Sequence, residues 1–174
     1  MDATSRMLAR LDELGFDFSH FTTERFVSWL ETKTDRKIFL LAVKMPMDMY
    51  GAWISDAEHP HEYIFYDSSV PPLHQGHIQL HELSHFICKH ETLKVTGNDL
   101  QDILQAIQSG GMPPCVAQSA LLRAPNSDDD EAEAETLAML IQSRVIQHER
   151  LNELANAISA NAEAAAYIRN MGLS

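Results

Sequence analysis

The sequence predicts an α+β fold, a small early β-sheet packed on a helical core. Three observations predict it. Residues 36–67 hold three short runs rich in branched and aromatic side chains, separated by Pro46 and by a turn over Asp56–His61. The segments on either side repeat apolar residues at spacings of three and four, the period of a helix. At 174 residues and 45% hydrophobic content, the chain has the size and apolar fraction of one folded domain, residues 1–174.

Taken in order, Met7, Leu8, Leu11 and Leu14 share a helical face over residues 4–14, and Gly15 stops that helix. A second helix starts at about Thr23 and runs through Trp29 and Leu30 to Thr32. The run RKIFLLAVKMP reads as a buried strand stopped by Pro46. Met49–Ser55 and Glu62–Asp67 read as two more strands, hairpin partners across a turn containing Pro60. Pro71 and Pro72 open a long helix over about Leu73–His90. Asn98 is placed to cap a helix reaching Ser109, which Gly110-Gly111-Met112-Pro113-Pro114 ends. Arg123–Asp130 reads as a polar loop, and Glu131–His148 as a periodic helix. A separate Ala-rich helix over about Leu151–Met171 suits packing or contact between copies, so a homo-oligomer is an open expectation.

Composition narrows the function. The net charge is −12, and the 13 Lys and Arg are spread along the chain, which argues against direct nucleic-acid binding. No run approaches the ~18 consecutive apolar residues of a membrane span. The first twenty residues are polar and amphipathic, unlike a signal peptide. The expectation is a cytoplasmic protein with no membrane segment. Two cysteines, Cys88 and Cys115, are too few for a disulfide framework and fit reduced thiols.

The chemistry lies in His81-Glu82-Leu83-Ser84-His85. Histidines four apart on a helix present both imidazoles on one face, one turn apart, as two ligands of a tetrahedral zinc ion. Glu82, beside the first, can reach a water held there. The metal lowers that water's pKa towards ~7, and the carboxylate takes its proton as general base. The bland alternative is chance, since the chain has nine histidines. Against it, the motif falls inside a predicted helix whose Leu80, Leu83, Phe86 and Ile87 can pack in a core.

Zinc needs a third ligand. A histidine six residues after His85 is ruled out, because that position is Glu91, and Cys88 stands where that pattern needs glycine. A later carboxylate remains, from EAEAETLAMLI. Helical spacing puts Glu131, Ala134, Glu135, Ala138 and Ile141 on one stripe and turns Glu133 towards solvent. Glu131 and Glu135 are both open as the ligand. The alternative is an acidic helix start after Asp128-Asp129-Asp130, complementing the helix dipole. His77 and His74 can share the face of His81 and steady it or line a cleft. Cys88 reads as core packing. His90 and Tyr66 are both open as an oxyanion partner.

With these motifs the chain resembles the ImmA/IrrE family of zinc metallopeptidases. The likeness rests on EYIFYDSSVPPLHQGHIQLHELSHFICKH followed by EAEAETLAMLI, and covers about residues 25–145. Pro72–Glu82 fits the phrase P-L-H-Q-x-H-I-x-L-H-E of a subset of the family. The resemblance implies a metallopeptidase core built from the HExxH helix and a third-ligand helix, with Zn2+ held by His81, His85 and Glu131 and with Glu82 catalytic. It places Glu135 where many members carry Asn. It further implies a metallo-endopeptidase that cleaves a helix-turn-helix repressor and so regulates mobile-element or stress genes. No helix-turn-helix pattern is present here, so that partner is expected on a separate chain. The alternative expectation is a zinc-containing, non-proteolytic module that regulates a partner by contact.

Overall fold

Helix α1 (Ala3–Leu14) starts where Asp2 accepts the N–H of Ser5 at 2.7 Å, and it ends at Gly15 in the left-handed conformation at φ 68°. Helix α2 (Thr23–Thr34) is capped in the same way by the Thr22 side chain. Three strands follow, β1 (Lys37–Val43), β2 (Gly51–Asp56) and β3 (His61–Asp67). Then come α3 (Pro72–Cys88), a short strand β4 (Leu93–Val95), α4 (Gly97–Gln108) and α5 (Asp128–Asn170). The structure is a computed structural model that describes residues 2–45, 49–109 and 128–170. Pro46, the Gly110–Pro114 helix stop, Arg123–Ser127, Met171 and Cys115 lie outside the described residues.

The four strands form one sheet in the order β1-β3-β2-β4. β2 and β3 are the expected antiparallel hairpin, with Gly51 opposite Tyr66 and Trp53 opposite Ile64. β1 lies parallel to β3 along its whole length. Alternation along the strands divides the side chains between two faces. On one face Ile38 and Ile64 join Leu80, Leu83 and Ile87 of α3, Phe26 and Leu30 of α2, Met7 and Leu11 of α1, and Leu137, Ala138 and Ile141 of α5. On the other, Val43, Ile54, Tyr63 and Phe65 meet Leu93 and Val95 of β4 and Leu100 and Ile103 of α4. The fold is α+β, with this mixed sheet between a bundle of helices and α4.

Three expectations are corrected. α3 stops at Cys88 instead of His90, because Lys89 turns left-handed (φ 60°) and returns its N–H to His85 and Phe86 carbonyls. β4 was not expected: three residues are too few to show alternation, and they form a strand only by pairing with Ile54–Asp56 of β2. Glu131–His148 and Leu151–Met171 are not two helices. Asp128–Asn170 is one helix of 43 residues, with Asp128–Asp130 as its first turn in place of a loop. No Gly or Pro separates His148 from Leu151, and Glu149 and Arg150 are good helix formers. The far half of α5 stands clear of the core, with Leu151, Leu154 and Ile158 at 61%, 58% and 61% exposure. Among the described residues no helix is long and apolar enough to cross a membrane.

The turn into α3 is tied by Asp67. Its carboxylate accepts the Ser69 N–H at 2.9 Å and the Ser69 hydroxyl at 2.8 Å. Burial opposes its charge, but these bonds and one from the Met45 N–H outweigh it and hold the carboxyl below 3.8. A depressed folded pKa means stability that is present above about 3.8 and lost as pH falls through the lower folded value. Asp67→Asn is therefore expected to be less stable than wild type at pH 7, with the difference shrinking as pH falls below 3.8 in urea titrations.

Candidate metal centre

Helices α3 and α5 pack against each other and run antiparallel where they meet, so one turn forward on α5 answers one turn back on α3. The close approach follows from side chains that leave no gap: Ala134, Leu137, Ala138 and Ile141 on α5 are all 0% exposed. This brings the first turns of α5 over the HExxH face.

His81 and His85 turn their Nε2 atoms towards each other, 3.1 Å apart. Glu131 completes the triangle, with Oε2 at 3.3 Å from His81 Nε2 and Oε1 at 3.5 Å from His85 Nε2. A tetrahedral ion with ligand bonds of 2.0–2.1 Å needs donors about 3.3–3.4 Å apart. The three donors fit that requirement. Glu135 lies one turn along, with Oε2 3.2 Å from His81 Nδ1 and 3.2 Å from His77 Nε2. It meets the opposite nitrogen of His81 and is anchored by His77. Spacing left Glu131 and Glu135 equally open; the structure brings only Glu131 to both imidazoles. His77 thus holds the acid that orients His81.

The other side of the cluster is built by His85, whose side chain is 3% exposed. Its Nδ1 is 2.9 Å from Nδ1 of His90. The left-handed Lys89 and the bond from the His90 N–H to the His85 carbonyl at 3.1 Å fold His90 back to this place. His90 therefore stands behind His85, away from the donor triangle. No sequence signal locates it, because Lys rarely marks a left-handed position. Glu133, expected to face solvent, instead pairs with Arg6 of α1 at 2.7 Å. Its Oε2 is 3.6 Å from His90 Nε2. The cause is that α1 packs along that side of α5.

Electrostatics follow this layout. Burial disfavours charge on His81, but Glu131, Glu82 and Glu135 together outweigh it and pull the imidazole up. Burial and the neighbouring His85 push His90 down. The hydrogen bond from Arg6 holds Glu133 low. Burial pushes the Cys88 thiol up to about 11, and its Sγ lies 3.8 Å from Met7 Sδ, a packing environment.

Glu82 is half-buried beside the triangle, where the start of β2 passes over it. Burial pushes its carboxyl up to about 7, against the pull of His81 and His85 and with a further push from Glu131. Gly51 makes the space: a Cβ at that position would lie 2.5 Å from Glu82 Oε1 and 2.6 Å from Ile78 Cγ2. Ile78 is buried and cannot yield easily. Gly51→Ala is thus expected to cost about 1–3 kcal/mol by overpacking. The three atoms nearest the added methyl belong to Glu82 and Ile78, and none to His81, His85 or Glu131; urea denaturation of the variant against wild type measures the cost. Tyr66, opposite Gly51 in the register, shares its face of the sheet.

Among the described residues two further groups bring possible ligands together, Asp56–His59–His61 and Cys88–His90–Glu133. In the first, Asp56 already accepts the backbone N–H groups of Glu58 and His59 and bonds the His59 ring at 3.1 Å. No family model, no curated protein and no solved structure matches this chain.

Proposed function

We propose that this protein is a zinc-dependent metallo-endopeptidase. The observation that carries the reading is the convergence of His81 Nε2, His85 Nε2 and the Glu131 carboxylate at 3.1–3.5 Å, with the Glu82 carboxyl half-buried beside them. The donor set of two imidazoles and a carboxylate is the chemistry of a catalytic zinc site with one position open. When bound, the ion supplies Lewis acidity, making a water easier to deprotonate and polarising a carbonyl.

The chain's own residues supply the rest. Glu82 takes a proton from the attacking water and delivers it to the departing amine. Its partial burial excludes competing solvent, and Gly51 lets it approach without a clash. Glu135 accepts from His81 Nδ1 and so keeps the Nε2 lone pair turned inward. His77 holds Glu135 in turn.

The resemblance to the ImmA/IrrE family supplies the substrate class, a helix-turn-helix repressor on a separate chain, acting in the cytoplasm. The acidic chain, at −12, suits a basic partner of that kind. The test is incubation of the zinc-loaded protein with a helix-turn-helix repressor, chosen from those encoded near it, followed by mass spectrometry of the products. Cleavage that requires Glu82 supports the reading. A stable complex, no cleavage, and the same biological effect from Glu82→Gln would instead establish a non-proteolytic zinc module.

A further inference from the structure

We propose that His90 is a positioning residue for the metal centre, accepting the Nδ1–H of His85 and tying that ligand through its own Nε2–H to Asp130 and Glu133. The inference rests on the reading of His81, His85 and Glu131 as metal ligands. His85 Nε2 faces the cluster, 3.1 Å from His81 Nε2 and 3.5 Å from Glu131 Oε1. A ring nitrogen that binds a metal offers its lone pair, so the proton of the neutral imidazole sits on the other nitrogen. In His85 that is Nδ1, 2.9 Å from Nδ1 of His90. One proton serves this contact, and it belongs to His85. His90 Nδ1 is then the acceptor, and the proton of its own ring is on Nε2.

That nitrogen is buried and makes no hydrogen bond at ordinary distance. The His90 side chain is 6% exposed, and the groups facing its Nε2 are Asp130 Oδ1 and Glu133 Oε2, both at 3.6 Å. Both are acceptors, so an N–H pointing between them has the right polarity, and a small tightening closes either bond. Glu133 is held from its far side by Arg6. The groups line up from the donor triangle through His85, His90 and Glu133 to Arg6 on α1, with 3.6 Å between His90 Nε2 and Glu133 Oε2.

A rival uses the same atoms: Cys88, His90 and Glu133 lie close enough to hold a second ion. Tautomers decide between the two. An ion held between His90 Nε2 and Glu133 Oε2, which lie 3.6 Å apart, needs the lone pair of that nitrogen, which moves the ring's proton to Nδ1. Two N–H groups would then oppose each other across 2.9 Å, unless His85 gave up its last proton. Filling the first centre therefore disfavours the second and selects the hydrogen-bonded arrangement.

The test uses the full-length protein, with zinc stoichiometry from metal analysis and affinity from competition with a chromogenic chelator. His90→Phe keeps an aromatic ring of similar size and removes the acceptor. His90→Asn restores an oxygen that can accept from His85. The expected result is one zinc per wild-type chain, binding about 10–100-fold weaker in His90→Phe, and recovery to within a few-fold in His90→Asn. Long-range 15N–1H spectra of the zinc-loaded wild type are expected to show His90 protonated on Nε2, a readout that holds even if a variant fails to fold. Wild-type affinity in a folded His90→Phe, or a His90 protonated on Nδ1, overturns the proposal and leaves the metal centre standing. Two zinc ions per chain, falling to one in His90→Phe, overturn it in favour of the second ion. A wild type that takes up no zinc overturns the metal centre and this proposal together.

Discussion

Glu82→Gln is expected to lower peptide hydrolysis by about 10²–10⁴-fold, the usual contribution of a general acid–base group. Zinc should remain at one ion per chain. Gln has the shape of Glu and fits the same space under Gly51, so packing survives while the capacity to take a proton does not. The pH profile gives an independent check. Activity requires the carboxylate, so it falls as pH drops through the Glu82 pKa. Burial, opposed by His81 and His85 and helped by Glu131, pushes that value up to about 7. A nearby dication favours the charged form and moves the limb lower. The limb should therefore appear in the wild-type kcat/KM profile on the acid side of 7. A flat profile there, with Glu82→Gln as active as wild type, would remove Glu82 from the reaction.

The second large effect separates two glutamates one turn apart. Glu131→Ala is expected to weaken zinc binding by more than about 100-fold, since structural zinc affinities of ~10–16 kcal/mol shared among three ligands give ~3 kcal/mol or more for each. Glu135→Ala should cost about 10–100-fold, because it acts only through the orientation of His81. Chelator competition on the two variants gives the order directly. If Glu135→Ala loses zinc and Glu131→Ala keeps it, the third ligand is Glu135. Structurally the alternatives are not equivalent: Glu131 reaches both Nε2 atoms at 3.3 and 3.5 Å, whereas Glu135 reaches His81 Nδ1 at 3.2 Å.

What the sequence could and could not convey follows from the range of the interactions involved. The HExxH face, the β2–β3 hairpin and the start of α3 at Pro71–Pro72 are local patterns, and each is visible in consecutive residues. The choice between Glu131 and Glu135 is not local. Both lie on one stripe of α5, and only the axial alignment of α5 against α3 distinguishes them. Periodicity is silent on that choice. His90 was hidden for another reason: its place depends on a left-handed lysine, a conformation the residue type does not announce. β4 exists only through its pairing with β2. The opposite error occurred at residues 148–151, where the reading divided a helix that nothing in the chain interrupts.

The continuity of α5 has a mechanical consequence. Asp130, Glu131, Glu133 and Glu135 belong to one rod: Asp130 and Glu133 face His90 Nε2, Glu131 faces Nε2 of His81 and of His85, and Glu135 faces His81 Nδ1. They cannot be adjusted one at a time. Advancing the rod by a single residue shifts it about 1.5 Å and turns it about 100°, and every carboxylate would then miss its imidazole at once. The two helices act as a key and its lock with one correct phase, so a residue inserted between 131 and 135 would turn Asp130 and Glu131 about 100° out of phase with Glu135, which the buried Leu137, Ala138 and Ile141 keep in place.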